Sequence, residues 1–400
     1  MRPEVAVVGA GPAGLLAAKR VAERGFSVQV YEEHSAVGEP CHCAGLISVE
    51  GLRRLGLEPR EDFIQGEVYG GRVYAPSGEH MELRDSRPRA YVVDRSSFDR
   101  HLAERAADAG AELILSKRVE ALDFNGGTAA LRVRGGVLEP SVVIDAEGPG
   151  ARLLGQAGHD AGQRGLLNGF NAELDGVEVE QGMVELWFGD SLAGGFFAWV
   201  IPTGDGEARC GLASRGDGLA CLKGFLRNRF GVEPQARVRA GRVCTGGPVQ
   251  RTVYGNVLLV GDAAGQVKPT TGGGVVLGGL CAGIAGDVAS EHLGDGRDLG
   301  RYEGLWRRRY GHEFSLMLAL RGLMNGLGDE RLSRALQAFK EEGLQARAQM
   351  LLERGDVDMQ AGVIREALTD PAMLATMVRS LGRVALGELL SLVQGGRPRG

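Results

Sequence analysis

The 400-residue sequence predicts an α/β fold with an α+β insertion: a parallel-sheet core split by an antiparallel sheet and followed by a helical C-terminal region. Three observations lead there. An apolar strand at residues 4–8 runs into Gly9-Ala10-Gly11-Pro12-Ala13-Gly14 and then a helical stretch. A second apolar run, residues 257–260, sits inside GNVLLVGDAAGQVKPTTGGG at 255–274. Between them, residues 160–250 switch to alternating apolar and polar runs with many turns. The implied blocks are 1–158 and 251–300 for the core, with a small hairpin excursion near 66–84. Residues 159–250 form the inserted sheet and 301–400 the helical region.

The N-terminal stretch has every part of a dinucleotide fingerprint. Its helix runs to about Arg24, Gly25 stops it, and a strand at 28–31 ends at Glu32, eighteen residues after Gly14. In such a Rossmann-like unit the glycines permit the tight turn, the approach of a pyrophosphate and close helix–strand packing, while the acid holds a ribose hydroxyl. Gly9, Gly11, Ala13, Gly14, Glu32 and the adjoining Glu33 are therefore candidate cofactor contacts. No second fingerprint occurs, which argues against a separate nicotinamide domain. FAD fits better than NAD, because 255–274 offers a second site for the far half of a long cofactor.

In that second site Gly261-Asp262 lies at a strand's carboxyl end, where open α/β sheets place ligands. Asp262 can accept a hydrogen bond from a ribityl or ribose hydroxyl. Pro269 and Gly272-Gly273-Gly274 let backbone N–H groups approach a flat anionic ligand, just before the helical-looking 275–288. Residues 142–148, VVIDAEG, form another strand end of this kind and add Glu147 and Gly148. Arg95 closes the strand end Tyr91-Val92-Val93-Asp94 ahead of a helix at 97–109. It suits the cofactor's phosphates or adenine, or simply an Asp–Arg turn pair.

Cys41-His42-Cys43-Ala44, flanked by Pro40 and Gly45, reads as a loop. It fits two small semi-buried residues, a metal site, or a thiol facing the flavin as acid or redox partner. No ligand cluster with metal spacing accompanies it, so no metal is predicted, and His42 reads as a plain loop histidine. Within the inserted sheet, Phe197, Trp199 and Ile201 share one strand face, because side chains repeat every two residues. That face is either core or the wall of an apolar substrate cavity.

Composition narrows the partners. A net charge of −5 without a basic stripe argues against a nucleic-acid partner. Arg307-Arg308-Arg309, the one dense basic run, is a solvated helix face or a lipid-phosphate contact. The 65 glycines follow no collagen period and suit close backbone–cofactor contacts. Six cysteines, in a chain that enters a strand directly rather than through a secretory leader, predict free thiols in the cytoplasm. The longest uncharged stretch, 269–286, has the glycines of a cofactor loop, so any membrane contact is expected to be peripheral. Asp370-Pro371 marks a helix start, and 394–400 reads as a loose tail.

With these motifs assembled, the chain resembles the geranylgeranyl reductase family, within the flavoproteins built like aromatic hydroxylases. It is similar in particular to archaeal-type enzymes that saturate the prenyl chains of ether phospholipids. The resemblance rests on GAGPAG with Glu32, GEPCHCAGLIS (38–48), VIDAEGPGARL (143–153), GDAAGQVKPTTGGG (261–274) and FFAWVIP (196–202), and spans about residues 5–280. It implies an FAD-binding domain of the aromatic-hydroxylase type, reduced FAD as hydride donor to the alkenes of an isoprenoid lipid, and NAD(P)H or ferredoxin as external reductant. It places Cys43 and Ala44 beside the flavin, Trp199 with Phe197 against the isoprenoid, and Asp262 as the cofactor-binding acid. Glu147 departs from the pattern by standing where many relatives have Asp, and Cys41-His42 is not a pairing the family requires. The last hundred residues match only loosely.

Rival readings are a flavin monooxygenase acting on an aromatic, a reductase of a quinone side chain or free prenyl diphosphate, and a non-catalytic flavin sensor. Halogenation is disfavoured: Phe197 replaces the first of a tryptophan pair, and no lysine occurs between Lys19 and Lys117. The sequence leaves the electron donor and oligomeric state open.

Overall fold

The computed structural model describes residues 3–232, 238–382 and 385–393, so the tail predicted at 394–400 lies outside the described residues. The chain forms two compact units, one of Met1–Cys41, Arg95–Leu166 and Cys244–Phe314, the other of His42–Asp94, Leu167–Val243 and Ser315–Gly400.

The first unit is built on a six-stranded sheet in the order Val253–Tyr254, Val257–Leu259, Val142–Asp145, Val5–Val8, Val28–Tyr31, Glu112–Ile114. Its pairings are parallel except at the Val253–Tyr254 edge. Val5, Val7, Val143, Ile144 and Leu258 have no exposed surface, as expected of parallel strands covered on both faces. The register sets Val8 beside Asp145 and Tyr31, and Asp145 beside Leu259. Four carboxyl ends are thereby level, and the turns that follow them open along one edge of the sheet. Helices Pro12–Glu23 and Val275–Asp295 pack on each other, with Arg20 (2.8 Å) and Arg24 (2.6 Å) both reaching Asp287. An antiparallel sheet of Val119–Asn125, Thr128–Val133 and Gly136–Leu138 packs Leu122, Leu131 and Val133 on Val8, Val143 and Leu259.

The second unit holds a seven-stranded sheet in the order Arg239–Cys244, Leu166–Asp175, Glu207–Ser214, Phe197–Gly204, Met183–Phe188, Gly70–Tyr74, His80–Arg84. Strand alternation sorts its faces. Ala198, Val200, Cys210 and Leu212 pack against Leu222, Phe225 and Leu226 of helix Gly218–Phe230. Phe197, Trp199, Ile201 and Ala213 face the other way and cluster with Val68, Ala90 and Val92. Those three belong to a small sheet of Leu46–Ser48, Ala90–Val93 and Ile64–Val68.

The structure differs from the sequence reading near 66–84. Ile64–Val68 pairs with Ala90–Val93, and only Gly70–Tyr74 and His80–Arg84 form the hairpin. Gly70–Tyr74 also runs parallel to Met183–Phe188, which makes the hairpin the edge of the seven-stranded sheet. Residues 42–94 consequently fall in the second unit. Local alternation could not show this, since a parallel pairing joins strands far apart in sequence. The C-terminal helices from Ser315 onward fall there too. Arg89 donates to the Glu353 carbonyl (3.1 Å) and to that of Gly355, and Arg84 N–H donates to Gln349 (2.9 Å).

The predicted helix at 275–288 runs on to Asp295, and the one at 97–109 starts earlier, as Arg95–Asp108. Asp370 caps Pro371–Leu381 by accepting from the N–H groups of Ala372 and Met373, both at 3.0 Å. Among the described residues no helix is long and apolar enough to cross a membrane.

Candidate active site

In the first unit the glycine turn divides its work. Gly9 has φ +96°, and a Cβ there would lie 2.5 Å from the Ala146 carbonyl oxygen. A Cβ on Gly14 would lie 2.1 Å from the Gly9 carbonyl oxygen. Both positions are closed by the fold itself. A Cβ on Gly11 would meet nothing within 4 Å, so this glycine keeps space open before helix Pro12–Glu23, whose first turn has no side-chain cap. Its N–H groups stay available there and the helix dipole favours an anion. Glu32 is tied to the same turn: Oε2 accepts from Ala10 N–H (2.9 Å), and Oε1 accepts from His34 N–H (2.9 Å). Glu33 is exposed and pairs with Arg118 at 3.2 Å.

Gly261-Asp262 is wedged between two helices. The Cβ position of Gly261 lies 2.7 Å from Ala13 Cβ, and that of Gly278 lies 3.1 Å from Gly261 Cα. Asp262 is half-buried; loss of hydration pushes its carboxyl up to about 6, against the pull of the Arg95 charge. Asp262 Oδ1 lies 2.6 Å from where a Cβ on Gly274 would stand. Gly274 opens helix Val275–Asp295, which also lacks a side-chain cap. Two uncapped helix starts thus flank one carboxylate. Pro269 is buried, and the Cβ position of Gly273 lies 2.8 Å from Lys268 Cε. Gly272 turns the chain at φ +71°.

Arg95 and Glu147 are likewise engaged within the protein. Arg95 forks onto Asp99 at 2.9 and 3.0 Å. Glu147 accepts from Leu153 N–H (2.7 Å) and faces Arg152 (3.6 Å), which leaves Gly148, at φ +90°, to form the turn. Burial pushes the Glu147 carboxyl up. Asp145 has no exposed surface; one oxygen accepts from Glu147 N–H (3.1 Å), the other has no hydrogen-bond partner, and burial pushes this carboxyl well above its ordinary range. Sequence reasoning passed over Asp145, Lys268 and Gln163, whose amide donates to the Asp262 carbonyl. Asp145 had a signal, an acid closing an apolar run; the other two had none.

In the second unit the cysteine loop lies on the aromatic face of the large sheet. Cys43 is exposed, and Gly45 N–H donates to its Sγ at 3.4 Å. Asn171 donates from Nδ2 to the His42 carbonyl (2.8 Å) and accepts the Trp199 indole N–H at Oδ1 (3.0 Å). Arg209 donates from Nη1 to the Ala44 carbonyl at 2.8 Å. Ala44 packs on the cluster of Phe196, Phe197, Trp199 and Ile201, and the Phe197 and Trp199 rings meet edge to face, 6.1 Å between centroids. Phe197 and Trp199 are buried at 6% and 8% exposure. Asn171 and Arg209 escaped the sequence reading because polar residues on an alternating strand look like its solvent face. Among the described residues no three His, Cys, Asp or Glu side chains form a group that could hold a metal ion.

The open space at Gly11, two uncapped helix starts and acids at Glu32 and Asp262 suit a long cofactor with phosphates and hydroxyls, and the α/β unit that carries them defines an FAD-binding flavoprotein. A family model described as FAD binding domain matches residues 2–210. Digeranylgeranylglycerophospholipid reductase 2 of Methanothermobacter thermautotrophicus is 35% identical over 371 residues, 88% of this chain and 96% of that protein. The protein of the same name from Methanopyrus kandleri is 33% identical, over 86% of this chain and 92% of its own length. The chain belongs to the digeranylgeranylglycerophospholipid reductase family. A crystal structure of a geranylgeranyl bacteriochlorophyll reductase-like protein from Thermoplasma acidophilum shares the fold, with a TM-score of 0.82 over 98% of this chain and 99% of that one at 23% identity.

Proposed function

We propose that this chain reduces the C=C bonds of geranylgeranyl chains on an isoprenoid phospholipid, with Cys43 or a water it positions delivering the proton. The supporting observation is the cysteine loop seated on an aromatic face, with Ala44 packed on the cluster of Phe197 and Trp199. Reduced FAD, when bound, supplies the hydride to one alkene carbon. The other carbon must take a proton, because an isolated trisubstituted alkene accepts hydride poorly. Each double bond thereby gains two hydrogens.

The thiol S–H of Cys43 breaks as the new C–H bond forms, and Gly45 N–H holds the sulfur left negative. Cys43 is exposed, so solvent returns its proton. Phe197, Trp199 and Ile201 hold the prenyl chain by apolar contact and keep water away. Their task is alignment, with reacting atoms about 3–3.5 Å apart. Gly11 and the uncapped helix starts receive the cofactor's phosphates, and Glu32 and Asp262 its hydroxyls. NAD(P)H or ferredoxin restores the reducing equivalents, and the lipid is met by peripheral contact with a membrane.

The test is anaerobic. The protein's flavin is reduced with dithionite, geranylgeranyl phospholipid is added, and the return of oxidised-flavin absorbance is followed while the lipid is weighed. Reoxidation with a gain of two hydrogens per reduced double bond is expected, and its loss in Cys43→Ala with FAD content intact. Flavin that stays reduced until air is admitted, with oxygen uptake then speeded by an aromatic, would favour a monooxygenase instead. Unchanged turnover in Cys43→Ala would end the role given to that thiol.

A further inference from the structure

The peptide between Ala44 and Gly45 has a hydrogen bond at each end. Its N–H donates to Cys43 Sγ at 3.4 Å, and its C=O accepts from Arg209 Nη1 at 2.8 Å. Arg209 is 8% exposed and spends its fork within the same unit: Nε donates to Glu173 Oε1 (2.8 Å) and Nη2 to Gln65 Oε1 (3.2 Å). The contact is built in closely. Gly45 sits at φ +73°, and a Cβ there would lie 2.5 Å from Arg209 Nη1. No other residue leaves room for the guanidinium. Arg209 itself is fixed by strand register, standing opposite Glu173 on one neighbouring strand and Ile201 on the other.

We propose that Arg209 is a positioning residue for Cys43, acting through the Ala44–Gly45 peptide. The inference rests on the reading of Cys43 as proton donor. A buried cation on a peptide oxygen draws electron density from the amide and makes its N–H a stronger donor, since bonds in a chain polarise one another where the dielectric is low. The strengthened N–H faces Sγ and holds the sulfur in place once the thiol has given up its proton. Glu173 sets the strength of the effect, because it neutralises part of the same guanidinium. Its side chain is 42% exposed against 10% for Arg209, so water can replace it or solvate it. Asn171 fixes the preceding peptide through the His42 carbonyl, so the loop is tied on both sides of Cys43.

The reactivity of Cys43 toward iodoacetamide reads this coupling without turnover. Cys43 is already exposed, so added mobility changes access little, and its rate follows the electrostatic surroundings of the sulfur. The FAD-loaded protein is alkylated at one fixed pH, and Cys43 is followed by peptide mass spectrometry, with half-buried Cys221 as internal reference. Arg209→Met is expected to slow Cys43 at least about threefold, Arg209→Lys to recover part of the rate, and Glu173→Gln to quicken it, with Cys221 unchanged throughout. Glu173→Gln disturbs only a half-exposed carboxylate and keeps the test open if Arg209→Met fails to fold. Unchanged Cys43 rates in both Arg209→Met and Glu173→Gln would overturn the coupling, as would faster alkylation in Arg209→Met. If Cys43→Ala turns over normally, the proton-donor reading fails, while the alkylation rates still decide whether Arg209 acts on the sulfur.

Discussion

Gly211 stands directly opposite Trp199 across neighbouring strands, and the indole fills the space its side chain would take. A Cβ on Gly211 would lie 2.6 Å from Trp199 Cζ2, 2.5 Å from Asn171 Oδ1 and 2.4 Å from the Phe170 carbonyl oxygen. One missing methyl group therefore sets the seat of the tryptophan and of the amide that ties it to the cysteine loop. Gly211→Ala should cost about 1–3 kcal/mol, as overpacking does where backbone cannot yield. The expected result is a lower unfolding midpoint and weaker capture of prenyl lipid, with FAD content unchanged. Parent-like stability together with parent-like KM would show that the seat is not tight.

Trp199 can be taken apart into ring and N–H. Trp199→Phe keeps an aromatic face but strands Asn171 Oδ1, a loss of about 1–3 kcal/mol for a buried acceptor. Trp199→Ala removes the face as well and should cost about 3–5 kcal/mol. Substrate capture should survive largely in the Phe variant and fail in the Ala variant, with FAD retained in both. Steady-state KM and flavin absorbance per chain measure the two effects. Loss of FAD ahead of substrate binding would contradict the assignment of Trp199 to the prenyl chain.

The same substitution at two fingerprint glycines should have separable effects. Gly11 has an ordinary extended backbone (φ −75°, ψ 173°) and nothing near its Cβ position, so Gly11→Ala should leave the stability of the cofactor-stripped protein unchanged. The added methyl group fills the approach of the pyrophosphate, and FAD affinity should fall by about tenfold or more. Gly14→Ala collides with the Gly9 carbonyl oxygen at 2.1 Å and should destabilise the fold whether or not FAD is present. Denaturant unfolding of the stripped protein and titration with FAD separate the two. Equal destabilisation by both would remove the argument for an open cradle at Gly11.

What the sequence disclosed follows from how local each signal was. The cradle around Gly9, Gly11, Gly14 and Glu32 is encoded within a few dozen residues, and strand, turn, helix and acid all stand where their spacing put them. Asp370 announced its cap for the same reason. The ties on the cysteine loop were silent, because Asn171 and Arg209 reach His42 and Ala44 across more than a hundred residues. Their meaning arises only from the register of the large sheet. The place of 42–94 was hidden likewise, since the parallel pairing of Gly70–Tyr74 with Met183–Phe188 leaves no local trace. Glu147 shows how little spacing says of a side chain's partners: at a strand end it reads as a cofactor contact, and in the structure its carboxylate accepts from Leu153 N–H and faces Arg152.

Asp262 offers a test in pH. In the cofactor-free protein burial raises its carboxyl from the ordinary 3.8 to about 6, so between those values the folded chain binds a proton that the unfolded chain does not. Its contribution to stability is fully present below the unfolded value and is lost as pH rises through about 6. A ribityl or ribose hydroxyl donating to Asp262 favours the ionised form, so FAD affinity should run the other way. It should be constant above about pH 7 and fall by up to about tenfold per unit as pH drops below about 6. Asp262→Asn removes both dependences: the stripped variant should lose no stability from this group between pH 4 and 6, and its FAD affinity should be weaker at pH 8 yet flat toward pH 5. Flavin fluorescence titrations across that range, with unfolding curves on the stripped proteins, measure both. If the parent's FAD affinity is flat with pH and matched by Asp262→Asn, Asp262 does not hold the cofactor's hydroxyls, and the second half of the site must be sought at Lys268 and the Gly272–Gly274 turn.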